Sequence, residues 1–296
     1  MNAPLLVGLG LVVGFISGLF GIGGGFLMAP VLVFMGIPPA VAVASQANHV
    51  VASSASSVFA YGRKRSVDFR MGGVLAFGGI VGSVLGVEGF RALRVLGQAD
   101  LVVALSYLIF LGTIGGLMLT ESVTALLRRQ RGEPAVEPKD RRPPWLYGLP
   151  FKMRFPRSRL YVSVLPPLGL GVFVGILSAI MGVGGGFVLV PAMIYLLRMP
   201  ASMVVGTSLF QIIITTSVVT VLQAGRNQTV DLVLATLLIF GGVIGAQLGA
   251  RASSRFRAEE LRIMLALIVL LVGLQMGLSV FVTPKDPFVL IYGLGQ

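Results

Sequence analysis

The 296-residue sequence has no cysteine, a single histidine and a single tryptophan, and only 11% of its residues are charged. Without cysteine there is no disulfide, no thiolate nucleophile and no thiolate metal site. A soluble domain carries about 25% charged residues, so the scarcity of charge and a mean hydropathy of +0.93 argue against one. Acidic residues are rarer than basic ones, 11 against 23. The apolar segments hold no paired carboxylates, no nucleophile–base pair and no group of metal ligands, so an enzyme is not expected, and neither a cofactor nor a metal is implied. The net charge of +12 lies almost wholly between the apolar runs. It suits anionic headgroups at a membrane surface. The basic residues form loops and no separate basic domain, so no nucleic-acid partner is expected.

What the sequence does have is long apolar runs, several reaching the roughly 20 residues that a helix needs to cross a bilayer. They lie at 4–36, 39–61, 71–90 and 99–119, then at 161–198, 201–223, 232–250 and 262–282. Their periodicity is helical or unbroken, unlike the alternation of an outer-membrane barrel. The expected fold class is an all-α polytopic membrane protein. Met1 to Phe20 carries no Lys or Arg and no small-residue cleavage site, so it reads as a first membrane helix and not as a signal peptide. Residues 120–160 form a basic, proline-rich linker with Arg128, Arg129, Arg131, Arg141 and Arg142 among its charges and Pro134, Pro138, Pro143 and Pro144 among its prolines. Its second part carries Trp145, Tyr147, Phe151 and Phe155 among arginines, which suits the headgroup layer. Residues 283–296 read as a C-terminal tail.

The two halves, 1–119 and 161–282, repeat one another. GFISGLFGIGGGFLMAP (14–30) aligns with GILSAIMGVGGGFVLVP (175–191), so Gly21 meets Gly182, Ser17 meets Ser178 and Pro30 meets Pro191. FGGIVGSVLG (77–86) meets FGGVIGAQLG (240–249) after a two-residue offset that belongs in a loop. Carrying the first offset forward pairs His49 with Phe210, and Ser45-Gln46 with Gly206-Thr207. Each half has four segments, the first broken at its glycine run. Segment 4–36 as one straight helix would be about 50 Å long at 1.5 Å per residue, against a hydrocarbon core of about 30 Å. If it folds back as a hairpin, each half crosses three times and the repeats are inverted. That arrangement gathers Arg198, Arg251, Arg255, Arg257 and Arg262 on the side of the basic linker and of loop 62–70, and moves only Arg226 and Lys285 away. The excess of positive charge on cytoplasmic loops therefore favours inverted repeats in the cytoplasmic (inner) membrane, with linker 120–160 facing the cytoplasm.

The glycine breaks carry the functional expectation. In hydrocarbon an unwound stretch survives only where protein or a water-filled cavity covers it. After each break a half-helix starts at Phe26 or Phe187, and its first N–H groups carry the positive end of the helix dipole. Two such anion-binding ends can converge near the midplane. Close helix packing is the plainer account of glycine in a membrane. It is preferred for Gly78, Gly82, Gly86, Gly241, Gly245 and Gly249. The recurrence of the break with its proline favours a substrate site at Gly21, Gly23, Gly24, Gly25, Gly182, Gly184, Gly185 and Gly186. The adjoining segments are polar. Ser45, Gln46, Asn48, His49, Ser53, Ser54, Ser56 and Ser57 lie on one, with Ser45, His49, Ser53 and Ser56 sharing a face, and Thr207, Ser208, Gln211, Thr215, Thr216 and Ser217 on the other. Hydroxyls and amides suit either an oxyanion or hydrogen bonding between helices. His49 is open to two roles, as a proton carrier or as a neutral hydrogen-bonding residue. Asp68 and Asp231 precede helices, where N-terminal capping is their ordinary role.

The duplicated G-[IV]-G-G-G-F-x-x-x-P segment, followed about fifteen residues later by ASQANH (44–49) or GTSLFQ (206–211), resembles the TauE/SafE family of membrane permeases, the sulfite and organosulfonate exporters. The resemblance implies a secondary transporter of a small anion, sulfite or a short organosulfonate. It implies that the eight glycines named above frame the site and that Gln46, Asn48, Thr207, Ser208 and Gln211 line it, with His49 beside them. A passive anion pore and a membrane sensor acting through the linker stay open as alternatives. So does a homodimer built on the glycine-rich faces.

Overall fold

The computed structural model describes residues 3–37, 39–63, 66–130, 150–158, 160–227, 231–253 and 258–281. Residues 131–149, which hold most of the linker's prolines and Trp145 and Tyr147, and the tail at 283–296 lie outside the described residues. The first half supplies α1 (Ala3–Phe20), α2 (Gly25–Phe34), α3 (Pro39–Arg63), α4 (Phe69–Val95) and α5 (Ala99–Gln130). The second supplies α6 (Leu165–Met181), α7 (Gly186–Tyr195), α8 (Ala201–Leu222), α9 (Leu232–Ala252) and α10 (Ala258–Phe281). One π-helical turn, Gln223–Asn227, prolongs α8. Four helical stretches among the described residues are long and apolar enough to cross a bilayer: Ala3–Phe20, Phe69–Val95, Ser202–Gly225 and Leu232–Ala252.

The breaks fall where the glycine runs are, because only glycine enters the left-handed region freely. Gly21, Gly23 and Gly24 have φ of 71°, 85° and 68°, and Gly182, Gly184 and Gly185 have φ of 68°, 73° and 69°. The half-helices begin one residue earlier than the sequence suggests, at Gly25 and Gly186. Asp68 and Asp231 cap α4 and α9 as expected. Asp68 Oδ1 accepts from the N–H of Arg70 (3.1 Å) and Met71 (3.2 Å), and Asp231 Oδ1 from Val233 (2.9 Å) and Leu234 (3.0 Å).

Two helix pairs, α1 with α9 and α4 with α6, form the most extensive contacts. Both are glycine seams. A Cβ on Gly241, Gly245 or Gly249 would strike the α1 backbone at Val7, Leu11 or Phe15, and one on Gly78 or Gly82 would strike α6 at Leu168 or Val172. The rising register on both sides makes each pair parallel. Without a hydrophobic drive between helices in lipid, such close backbone approach supplies the packing. The outward faces of α4 and α9 present Phe77, Leu85, Phe240 and Ile244, as lipid contact requires. The seams are used within the chain, so they carry no case for a homodimer.

Directions elsewhere follow from pairwise contacts. His49 faces Gly10 and Tyr61 faces Gly18, so α1 and α3 run the same way and α2 returns between them. The start of α8 lies at the end of α3, where a Cβ on Gly206 would strike Ser66, so α3 and α8 are antiparallel.

The all-α expectation meets one exception. Within 120–160, α5 continues to Gln130, and Lys152–Phe155 pairs antiparallel with Leu160–Ser163 as β1 and β2, so the segment expected to be helical from 161 opens as a strand and its helix starts only at Leu165. Alternation turns Phe155, Leu160 and Val162 inward and Lys152 and Arg154 outward. The hairpin is fixed at its turn. Asp68 Oδ2 accepts from Ser158 N–H (3.0 Å) and Ser158 Oγ (2.6 Å), and Arg157 donates to Val67 O (2.8 Å) while lying 5.2 Å from the Phe69 ring centroid. The carboxylate of Asp68 is buried and that of Asp231 is exposed, an asymmetry that the linker creates.

Two stability changes are expected, each read from thermal unfolding in detergent. Gly82→Ala should destabilise by about 1–3 kcal/mol because no neighbouring side chain can yield to its methyl, whereas Gly89→Ala, which meets nothing within 4 Å, should be neutral or stabilising. Asp68→Ala should cost about 2–4 kcal/mol, and Asp231→Ala about 0.5–1 kcal/mol, because only the first strands the hairpin's donors as well as the cap.

Candidate functional site

The two breaks meet each other. A Cβ on Gly25 would lie 2.8 Å from Val183 Cα and 3.0 Å from Val183 O, and one on Gly186 would strike Ile22 O. The first side chains of the half-helices face each other, with Phe26 and Phe187 ring centroids 6.4 Å apart. Neither half-helix has a side-chain cap. Two uncapped helix starts therefore lie against each other in the buried interior; a helix start of this kind, with unpaired N–H groups and the positive end of the dipole, is where an anion is favoured.

The polar helices α3 and α8 brace the breaks crosswise. Gln46 Nε2, on α3, donates to Met181 O (2.9 Å) and lies 3.5 Å from Tyr107 Oη; Ser208 Oγ, on α8, donates to Gly21 O (3.1 Å). Each half thus holds the break of the other. Val50 and Ile212 fill the crossing. A Cβ on Gly23 would lie 3.2 Å from Val50 and 3.3 Å from Ile212, and one on Gly184 would lie 2.9 and 2.8 Å from the same two residues.

Other expected residues lie further out. Thr207 Oγ1 accepts from Asp68 N–H (2.9 Å), and Ser45 Oγ accepts from Asp231 N–H (3.0 Å). His49 Nε2 is 3.4 Å from Gly10 O, and its ring occupies the space left open by Gly242. Gln211 Nε2 donates to Thr215 Oγ1 (2.7 Å) and fills the matching space at Gly79. Asn48 is half-buried and its Nδ2 has no partner. It lies about 200° around the helix from both Gln46 and Val50, at 100° per residue. Gln46 and Ser208 touch the breaks; Thr207, His49, Asn48 and Gln211 stand around them.

These contacts correct the pairing of His49 with Phe210. Ser45 matches Thr207 by its bond to an aspartate N–H, His49 matches Gln211 by its glycine, and Tyr61 matches Gln223, their donors reaching Gly18 O (3.2 Å) and Ala179 O (3.3 Å). The two-residue offset therefore enters in two steps, one before the polar helix and one after it. One helical residue turns a side chain by about 100°, enough to exchange a seam-filling amide for a phenylalanine that packs on Phe69 (5.3 Å).

Sequence reasoning did not assign four hydroxyls to the site. Ser17, Ser54, Ser178 and Thr216 are fully buried, and none has a hydrogen-bond partner. Ser54 Oγ and Thr216 Oγ1 face Gly23 and Gly184, and Ser17 packs on Gly24. The signal was present. Ser17 already aligns with Ser178, and Ser54 meets Thr216 once the offset is corrected.

Residues 6–276 match the family described as Sulfite exporter TauE/SafE. The chain belongs to this family. It is an integral membrane transporter and not an enzyme. Over 271 residues it is 27% identical to the probable membrane transporter protein YjnA of Bacillus subtilis (strain 168), covering 90% of this chain and 97% of that protein. It is 28% identical over 266 residues to a probable membrane transporter protein of Xylella fastidiosa (strain 9a5c), covering 86% of each. No solved structure matches the chain. For a transporter, buried hydroxyls without partners are informative, since each costs about 1–3 kcal/mol. Thr216→Val and Ser17→Ala should leave the unfolding midpoint unchanged or raise it. A fall of several degrees in either would show that the hydroxyl holds the fold together.

Proposed function

We propose that the chain is a secondary transporter that exports a small anion, sulfite or a short organosulfonate, across the cytoplasmic membrane. The anion sits at the paired half-helix N-termini, and rocking of two inverted repeats, 1–119 and 161–282, alternates access to it. The observation that carries this reading is the contact of the two breaks, Gly25 against Val183 and Gly186 against Ile22, which brings two uncapped helix starts together. The family description names sulfite. A region with helix dipoles, amides and hydroxyls, and with no lysine or arginine among the described residues that touch the breaks, favours a small oxyanion that is gripped by hydrogen bonds and can leave again.

Inversion is supported by the antiparallel course of α3 and α8, and of α5 and α10, where Gly115 faces Val269 and Leu270 while Gly273 faces Leu111. It is supported also by charge. Tyr61 Oη lies 2.8 Å from Ser253 Oγ, so Arg251 shares the end of the bundle that holds Arg70, Arg198 and the linker hairpin. This end faces the cytoplasm by the distribution of positive charge. Exposed Lys152 and Arg154 beside it suit anionic headgroups.

The test is thermal unfolding of the purified protein with sulfite, sulfoacetate, taurine, sulfate, acetate and chloride. A substrate should raise the midpoint with concentration, the folded state gaining about 2.7 kcal/mol of stability at one hundred times its Kd. The gain should vanish in Gly24→Ala and Gly185→Ala, which place a Cβ at positive φ beside Ser17 and Val174. Gln46→Ala, which adds no atom beside the breaks but removes the donor to Met181 O, should weaken it. If no anion shifts the midpoint, or if the shift survives all three substitutions, the anion site is elsewhere or absent. In proteoliposomes, flux that ignores every ion gradient would identify a passive pore.

A further inference from the structure

Some buried hydroxyls bond back to their own turn, as Ser53 does to Val50 O (3.3 Å) and Ser83 to Gly79 O (2.7 Å). Among the described residues six have no partner, and four of these lie on the polar helices α3 and α8. Ser54 and Ser57 on α3, and Thr216 and Thr220 on α8, have hydroxyls shielded from solvent and no hydrogen-bond partner. Each pair is spaced by three or four residues and so shares a helix face. Ser54 faces the first break and Thr216 the second. Because α3 and α8 are antiparallel, the pairs leave the crossing in opposite directions. Ser54–Ser57 leads toward the end that carries Asp68, and Thr216–Thr220 toward the end that carries Asp231. Between them stand Val50 and Ile212, each touching both breaks.

We infer that these hydroxyls mark two half-pathways, one from each membrane face to the paired breaks, and that Val50 and Ile212 form the apolar barrier between them. The structure is then an occluded state. In an outward- or inward-open state one row is hydrated and carries the solute, and its hydroxyls find in water the partners they lack here. The barrier needs apolar side chains, because a hydroxyl at the crossing would join the rows into a continuous wet path. This deepens the alternating-access reading and rests on it, but it does not depend on which anion is moved.

The native absence of cysteine makes the test direct. Single cysteines at Ser54, Ser57, Thr216 and Thr220 are exposed to a charged, membrane-impermeant thiosulfonate in right-side-out and inside-out vesicles of the full-length protein. Met153→Cys on the linker hairpin reports the Asp68 end, Leu96→Cys reports the other, and lipid-facing Phe77→Cys is the unreactive control. Ser54→Cys and Ser57→Cys should label with Met153→Cys, and Thr216→Cys and Thr220→Cys with Leu96→Cys. Each should show at least about a tenfold preference in rate for its own face, because only a hydrated thiol ionises readily. Adding Val50→Ala to Ser54→Cys should make that thiol reactive from both faces. Labelling of all four from one face, or of none while the two end reporters react, overturns the pathway. So does an unchanged sidedness of Ser54→Cys with Val50→Ala. Correct sidedness in a protein that no anion stabilises would leave the pathway standing and remove the anion reading.

Discussion

Backbone rests on backbone where the two glycine breaks meet, and the rest of the architecture depends on that contact. Gly25 lies on Val183 and Gly186 on Ile22, at a depth where every unpaired N–H and C=O is costly. Side chains there would hold the breaks apart. Because glycine lets them touch, two short helices can start side by side in the interior, and the surrounding helices bury their starts. The parallel seams of α1 with α9 and of α4 with α6 serve that end. They use glycine to close the bundle tightly, so that nothing in the fold leaves the breaks facing lipid.

The polar helices show how the meeting of the breaks is held. Gln46 and Ser208 each spend a donor on the break of the opposite half, so the halves are joined through the breaks. Other polar atoms nearby, among them Gln46 Oε1, Gln211 Oε1 and the four hydroxyls, are left without partners. A protein selected for stability alone would replace them by apolar groups. Their retention in a transporter fits a site that must receive a hydrated or hydrogen-bonding solute and then release it.

The linker makes the two ends of the bundle differ. Its hairpin delivers Ser158 and Arg157 to one end of the bundle, where Asp68 joins the start of α4 to Thr207 on α8. The equivalent Asp231 carries only its cap and its bond to Ser45. One end of α8 is thereby tied to a surface element, and the corresponding end of α3 is not.

Much was legible in the sequence because in a membrane composition constrains form. The lack of charge, the long apolar runs, the twin glycine breaks, the aspartate caps and the seam glycines each have a direct physical meaning, and the breaks, caps and seams lie within a residue of where they were expected. The glycine motif also carried the family resemblance. What the sequence by itself determined is that this is a helical membrane protein broken twice at matching places. What only the tertiary structure decided is which side chains gather there. His49 and Gln211 fill glycine seams, Ser54 and Thr216 face the breaks, and 152–163 folds as a hairpin. A one-residue shift turns a helix by about 100°, and the partner of a side chain depends on helices far away in the chain; neither can be read from local pattern.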